Sequence, residues 1–384
     1  MSKRWPNKYV IGLTGNIATG KSVVRKMLEH LGATGIDADA LSHQALAKGG
    51  PAYAQVLKTF GEWLLGPDGE INRAALGKVV FADEQALARL ESIVHPVVGQ
   101  AVDFLVKRSQ AQVIVVEAIK LIESGLAKDC DAVWVVNAPE AMQVLRLINK
   151  RKLPEDEAVR RISAQGPQAD KLKAASVVIQ NAGSFEEAWT QVQAAFAKIG
   201  QAAPPPAPTA PPQPAAPTGE KQIRVRRGSP RDASAIAAFI TQATSGQKSL
   251  TRNDVMEAFG DKAYMLVEYG EALTGLVGWK VENLVARVDE FYVLPGAPLD
   301  KMSPPLLDAV EKAAQELQSE AALVFVPLPI AQMAAQALSG AGYVPQVTEK
   351  LGVAAWKEAA KESMPPGTAM LFKKLREDRV MKPI

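Results

Sequence analysis

Short apolar runs alternate with longer stretches whose apolar positions recur every three to four residues through residues 1–200. The runs Tyr9–Leu13, Thr34–Asp37, Gln112–Glu117, Ala132–Asn137 and Val177–Gln180 read as buried strands. Helical patterns follow most of them, including Val23–Leu31 and Glu140–Lys152. This alternation predicts an α/β fold, a parallel sheet covered by helices on both faces. Ligands of such sheets bind beyond the C-terminal ends of the strands, so chemistry is expected there.

The pattern stops at Gln201–Glu220, a segment made almost wholly of Ala, Pro, Thr and Gln. Without apolar periodicity it cannot bury enough surface to fold, and it reads as an extended spacer. It divides the chain into a first domain over 1–200, a linker over 201–220 and a second domain over 221–384. The second domain is mixed α and β. A strand and capped helix open it at Ile223. Ala263–Glu268 and Leu273–Val281 flank a Gly270-Glu271 turn, a hairpin signal. A strand at Arg287–Leu294, an amphipathic helix at Pro304–Leu317 and a strand at Ala322–Val326 follow.

Composition narrows the classes. Hydrophobic content is 47% and charged content 22%, ordinary for a soluble globular protein. A net charge of +3 over 384 residues gives no reason to expect nucleic acid or a membrane surface as partner. No apolar stretch approaches the roughly 18 residues of a membrane span, and no signal peptide precedes the first strand. Cys130 is the one cysteine, which excludes an intramolecular disulfide and fits a reducing cytoplasm. Three histidines and one cysteine argue against a zinc site. The sequence sets no oligomeric state.

The chemistry begins between the first strand and helix. Gly15-Asn16-Ile17-Ala18-Thr19-Gly20-Lys21-Ser22 matches G-x-x-x-x-G-K-[ST]. A glycine-rich turn there points backbone N–H groups into one concavity at a helix N-terminus, which suits a polyphosphate. Lys21 would reach the β/γ-phosphates of ATP, and the Ser22 hydroxyl would ligate Mg²⁺. Asp37 and Asp39 leave the end of the second strand. One carboxylate can help hold Mg²⁺ and the other can accept the proton of an attacking hydroxyl. The bland reading of Asp37 is a helix cap. Arg146, Lys150, Arg151 and Lys152 form a basic cluster that reads either as a lid over ATP phosphates or as a solvated helix end. Asn149-Lys150-Arg151-Lys152 lacks the Asp of N-K-x-D, and no D-x-x-G follows the third strand, which argues against a Ras-type GTPase.

From about Tyr9 to Ile199 the chain resembles the dephospho-coenzyme A kinases. The resemblance is carried in order by GLTGNIATGKS, IDAD at Ile36–Asp39, INRAALGKVVF at Ile71–Phe81, IVHPVV at Ile93–Val98, LIESGL at Leu121–Leu126, RISAQ at Arg161–Gln165 and VVIQNAGS at Val177–Ser184. It implies a P-loop fold like that of the nucleoside monophosphate kinases, and transfer of phosphate from Mg-ATP to the ribose 3′-hydroxyl of dephospho-coenzyme A. It makes Asp39 the general base and Asp37 its neighbour in metal or substrate binding. It places Arg73 and His95 in the helical insertion that holds the acceptor, and Arg146 and Arg161 in the lid. His95, before Pro96, also reads as a residue that caps or packs a helix start. Two departures stand out. Lys120 takes a place where a leucine is usual, and Lys150-Arg151-Lys152 replaces an arginine–aspartate–glycine step. Lysine cannot reproduce a bidentate arginine contact. Two other readings stay open: a kinase of another small metabolite or nucleoside monophosphate, and a relic that binds ATP or coenzyme A without turnover.

The order of elements after Ile223 resembles the GNAT acetyltransferases, which bind acetyl-coenzyme A. That family's [QR]-x-x-G-x-[GA] loop is missing. Leu294 to Pro305 carries Gly296 alone, the four prolines Pro295, Pro298, Pro304 and Pro305, and Asp300 where phosphates would come. The expectation is a GNAT-like module with a degenerate cofactor loop, a binding module in preference to an active N-acetyltransferase.

Overall fold

The computed structural model describes residues 3–202, 222–317 and 319–376. The first unit is a five-stranded parallel sheet with strand order β2-β3-β1-β4-β5. The strands are β1 Tyr9–Thr14, β2 Thr34–Asp37, β3 Val113–Glu117, β4 Ala132–Asn137 and β5 Val177–Gln180. Three of the five match the expected bounds, and the other two shift by one residue. With β1 central, the loop that leaves it emerges in the middle of the sheet's C-terminal edge.

Both faces are covered, as the alternation requires. On one face α1 (Lys21–His30) sets Val24, Met27 and Leu28 against Ile11, Leu13, Val115 and Trp134. Each such side chain contributes roughly 1.5–3 kcal/mol on leaving water. On the other face Val10, Ile36, Ile114 and Val116 meet α2 (Ala38–Leu46) and the long helix described next. Between β2 and β3 lie α3 (Tyr53–Phe60), α4 (Arg73–Ala82) and α5 (Glu84–Arg108). Helix α5 runs straight through Pro96, so His95 sits mid-helix and caps no helix start, contrary to expectation. Valines 94, 98 and 102 and Leu105 bury one side of it, and that packing outweighs the bond Pro96 cannot make.

After β4 come α6 (Glu140–Arg151), α7 (Glu155–Ser163) and α8 (Gln168–Lys173), and after β5 comes α9 (Phe185–Ala202). Helix α9 takes in Gln201 and Ala202, the first two positions of the expected spacer. The rest of that spacer lies outside the described residues. Cys130, before β4, donates its Sγ–H to the Leu126 carbonyl. Burial, then Asp129 and Asp131, push its thiol up to about 12.

The second unit is a seven-stranded sheet. Its strands are β6 Ile223–Arg227, β7 Ala263–Tyr269, β8 Ala272–Glu282, β9 Val285–Val293, β10 Ala321–Pro327, β11 Val344–Pro345 and β12 Thr368–Lys374. The order is β11-β12-β10-β9-β8-β7-β6, antiparallel except for β9 beside β10. The crossover between that parallel pair is α10 (Leu299–Glu316). It begins five residues earlier than the sequence suggests. Buried Met302 and Ser303 hold its first turn in place although Pro304 and Pro305 follow. The expected GNAT-like order of hairpin strands, crossover helix and parallel strand is present.

Candidate active site

The strand ends of the first unit converge on one cleft of about 1920 Å³. Ala18, Gly20, Lys21, Ser22, Asp37, Asp39, Arg73, Arg146 and Arg161 all line it. The phosphate loop turns as its sequence requires. Gly15 and Gly20 have φ of 147° and 96°, and Ala18 has 59°. A Cβ on Gly15 would stand 2.5 Å from the Val136 carbonyl oxygen, and one on Gly20 would overlap Asn181 Nδ2. Both positions therefore need glycine. Gly20 caps α1 without a side chain, leaving the helix N-terminus open to an anion.

Neighbouring elements hold the loop by its backbone. Gln168 Oε1 accepts from the Asn16 N–H at 2.9 Å, and Gln165 Oε1 accepts from the Ile17 N–H at 2.7 Å. Arg146 donates to the Ala18 and Thr19 carbonyls, both at 3.1 Å, and to the Asn181 carbonyl at 2.8 Å. Arg146 thus braces the loop from outside, from a place where its guanidinium also borders the cleft. Arg161, on α7, pairs with Glu157 at 2.9 Å. Arg151 borders the same cleft. The side chain of Lys150 lies outside the described ones. Lys152 ends α6 with φ 54°, the left-handed position where the resembled family has glycine.

Lys21 is buried, with Nζ 3.3 Å from the Asn16 carbonyl oxygen. Burial draws its ammonium below the ordinary lysine value, against the pull of Glu117 and Asp39. Asp37 caps α2, accepting from the Ala40 N–H at 2.8 Å, so the capping reading holds. Its second oxygen faces Arg25 Nη2 at 3.9 Å and the cleft. Burial and then Glu117 push the Asp37 carboxyl up. Asp39, in the first turn of α2, accepts from the Ile119 N–H at 3.1 Å. Burial pushes its carboxyl up to about 6, opposed by Lys21 and assisted by Asp37. A carboxylate tuned near neutrality beside a buried ammonium suits proton acceptance.

Sequence reasoning missed Glu117. The last residue of β3, it accepts from Ser22 Oγ at 2.8 Å and from Arg25 Nε at 2.7 Å. Arg25 continues to Glu29 at 2.6 Å, and Lys26 meets the other Glu29 oxygen at 2.9 Å. Lys26 and Arg25 hold the buried Glu29 carboxyl at about 2 although burial alone would raise it. Its one trace in the sequence is an acid closing four apolar residues, which takes on meaning once β3 is seen beside β1.

Arg73 begins α4 across the cleft from the loop, capped by Asn72. His95 stands apart, lining a second cleft with Arg4, Gly99, Ser124 and Asp129. Lys120 lines the cleft and pairs with Glu91 of α5 at 2.6 Å, so its unexpected charge is met by an acid of the helical insertion. Among the described residues no group of three or more His, Cys, Asp or Glu could hold a metal ion by itself. Among the described residues no helix is long and apolar enough to cross a membrane.

A central strand, a phosphate loop and a carboxylate pair at the end of β2, one strand beyond β3, define a P-loop kinase of small molecules. Comparison with known proteins narrows the class. Residues 9–187 match the family described as dephospho-CoA kinase. The chain is 42% identical over 192 residues to the dephospho-CoA kinase of Geobacter sulfurreducens, covering 49% of this chain and 98% of that one. With that of Aquifex aeolicus it shares 40% over 190 residues, covering 49% and 96%. The chain belongs to the dephospho-CoA kinase family. Among solved structures it is similar to TT1252 from Thermus thermophilus, with a TM-score of 0.46 and 30% identity over 50% of this chain and 98% of that one. It is also similar to yncA, a putative acetyltransferase from Salmonella typhimurium, with a TM-score of 0.31 and 12% identity over 41% and 95%.

Proposed function

We propose that this protein phosphorylates the ribose 3′-hydroxyl of dephospho-CoA at the expense of ATP, giving CoA and ADP. The observation that carries the reading is the placement of Asp39, its carboxyl near 6, in the same cleft as Lys21 and Ser22. Asp39 takes the hydroxyl proton as the ribose oxygen bonds to the γ-phosphorus and the β–γ bridging bond breaks. Lys21 and the uncapped N–H groups at the N-terminus of α1, from Gly20 to Ser22, neutralise charge on the transferring group. Arg73 faces the acceptor side, and Arg161 faces the phosphates from the lid. Arg146 keeps the loop in shape.

The donor set fits Mg²⁺. Ser22 supplies a hydroxyl, and Glu117 and Asp37 supply carboxylate oxygens for the waters such an ion retains. Ser22 would hold the ion, which when bound neutralises the β- and γ-phosphate oxygens. A cytoplasmic location accords with the single thiol and the substrate class.

The test is phosphoryl transfer by the full chain, with Mg-ATP and with dephospho-CoA or AMP as acceptor in parallel. Conversion of dephospho-CoA with AMP ignored supports the reading. Transfer to AMP favours a nucleoside monophosphate kinase, and tight nucleotide binding without transfer favours a relic.

A further inference from the structure

Helix α1 has three kinds of face. Val24, Met27 and Leu28 meet the sheet, and Lys21 and Ser22 point into the cleft. Val23, Lys26 and His30, at i, i+3 and i+7, form an outward stripe. In this chain the second unit lies on that stripe. His30 Nε2 is 3.0 Å from the Phe259 carbonyl oxygen, and as the N–H tautomer it donates to it. The His30 and Phe259 rings meet edge to face at 5.1 Å. Burial, then Arg227 of β6, hold the His30 imidazole down at about 4, so it is neutral at physiological pH.

The next residue, Gly260, shows how closely the two units approach. A Cβ there would stand 3.1 Å from Val23 Cγ1 and 3.4 Å from Phe185 Cε2, both in the first unit. Phe185, which opens α9, packs into the second unit's cluster around Phe259 and Tyr264. Arg252 pairs with Glu186 at 2.5 Å along the same seam. The covered stripe adjoins the chain of contacts that ends at the phosphate loop, from Glu29 to Arg25 to Glu117 to Ser22. Of these, the Glu29–Arg25 and Arg25–Glu117 pairs are buried and stay strong only while water is kept out.

We propose that the second unit positions the phosphate-loop helix, with Phe259 and Gly260 as its contact on Val23 and His30. Docked, it keeps the Glu29–Arg25–Glu117 pairs dry and Ser22 oriented toward the phosphates. Phe259 and His30 are positioning residues. Undocking costs ATP affinity first, because Lys21 and Ser22 lie on the helix being held. The inference rests on the kinase reading for its meaning, but its readout is nucleotide binding without acceptor.

The experiment compares full-length wild type with Gly260→Trp, a wedge in the seam, and with Gly260→Ala, whose methyl needs only a few tenths of an ångström. Arg252→Glu, facing Glu186, opens the seam by repulsion without steric intrusion and covers the case of a wedge that fails to fold. Small-angle scattering reports separation of the units. Binding of a fluorescent ATP analogue and the KM for ATP report the loop. Separated units with ATP affinity weakened about tenfold, and Gly260→Ala near wild type, are expected. Separated units with unchanged ATP affinity would overturn the proposal, as would a wild type whose units already scatter as independent bodies. Absence of transfer to dephospho-CoA by wild type would fault the kinase reading and leave the binding comparison intact.

Discussion

Ser22 Oγ donates to Glu117 Oε1 across 2.8 Å, tying the residue after the loop lysine to the last residue of β3. The same carboxylate holds Arg25 at 2.7 Å through its second oxygen. Glu117→Gln keeps an acceptor for Ser22 and removes the charge that orients Arg25. Groups that orient a metal's ligands cost about 10–100-fold when changed. Turnover is expected to fall by that factor, with a higher Mg²⁺ concentration at half-maximal rate. A Mg²⁺ titration of kcat for both proteins checks it.

Asp39→Asn is expected to lower kcat by about 10²–10⁴-fold, the usual contribution of a positioned base. For the wild type, kcat/KM should rise with pH through about 6, where Asp39 loses its proton, and level off above. The same shift has a sign for stability. The folded carboxyl lies above its ordinary value of 3.8, so the fold favours the protonated form. Its contribution is full below the ordinary carboxylate range and is lost as pH rises through about 6. Asp39→Asn should therefore melt higher than wild type at about pH 8, and the gain should vanish in acid. Melting curves across pH decide it.

Gly20→Ala sets a methyl against Asn181 Nδ2 at a φ of 96°. Asn181 donates that N–H to the Thr19 carbonyl at 2.8 Å, so moving aside breaks a loop contact. A cost of about 1–3 kcal/mol is expected, read as a lower urea midpoint, together with weaker nucleotide binding.

Lys152 ends α6 at φ 54° with a side chain in a conformation that suits glycine. Lys152→Gly should stabilise the protein by about 1 kcal/mol in urea unfolding. The same change makes the connection between α6 and α7 more permissive, and under the proposed function that segment closes over the phosphates, so kcat is the second measurement.

The first sheet was legible because each strand is a compact β-branched run between helical patterns, and parallel strands buried on both faces need no alternation to reveal them. The phosphate loop and the Asp37–Asp39 pair were legible because the chemistry fixes residue types at fixed spacing. Glu117 was not, since a lone acid closing an apolar run gains meaning only when β3 is seen beside β1. His95 was misplaced for the converse reason. A His-Pro step marks a helix start by local rules, but the buried side of α5 carries the helix through it. The contact of Phe259 with His30 joins residues 229 positions apart, and nothing in either local pattern announces it.

Cys130 has a last consequence. With its thiol pushed up to about 12, it carries almost no thiolate at neutral pH, and thiolate is the form that attacks disulfides. The product of the proposed reaction ends in a free sulfhydryl, and oxidised product is a disulfide. The only sulfhydryl on the protein is thus poorly matched to exchange with it, and the enzyme can release its product into an oxidising mixture without becoming covalently tethered to it.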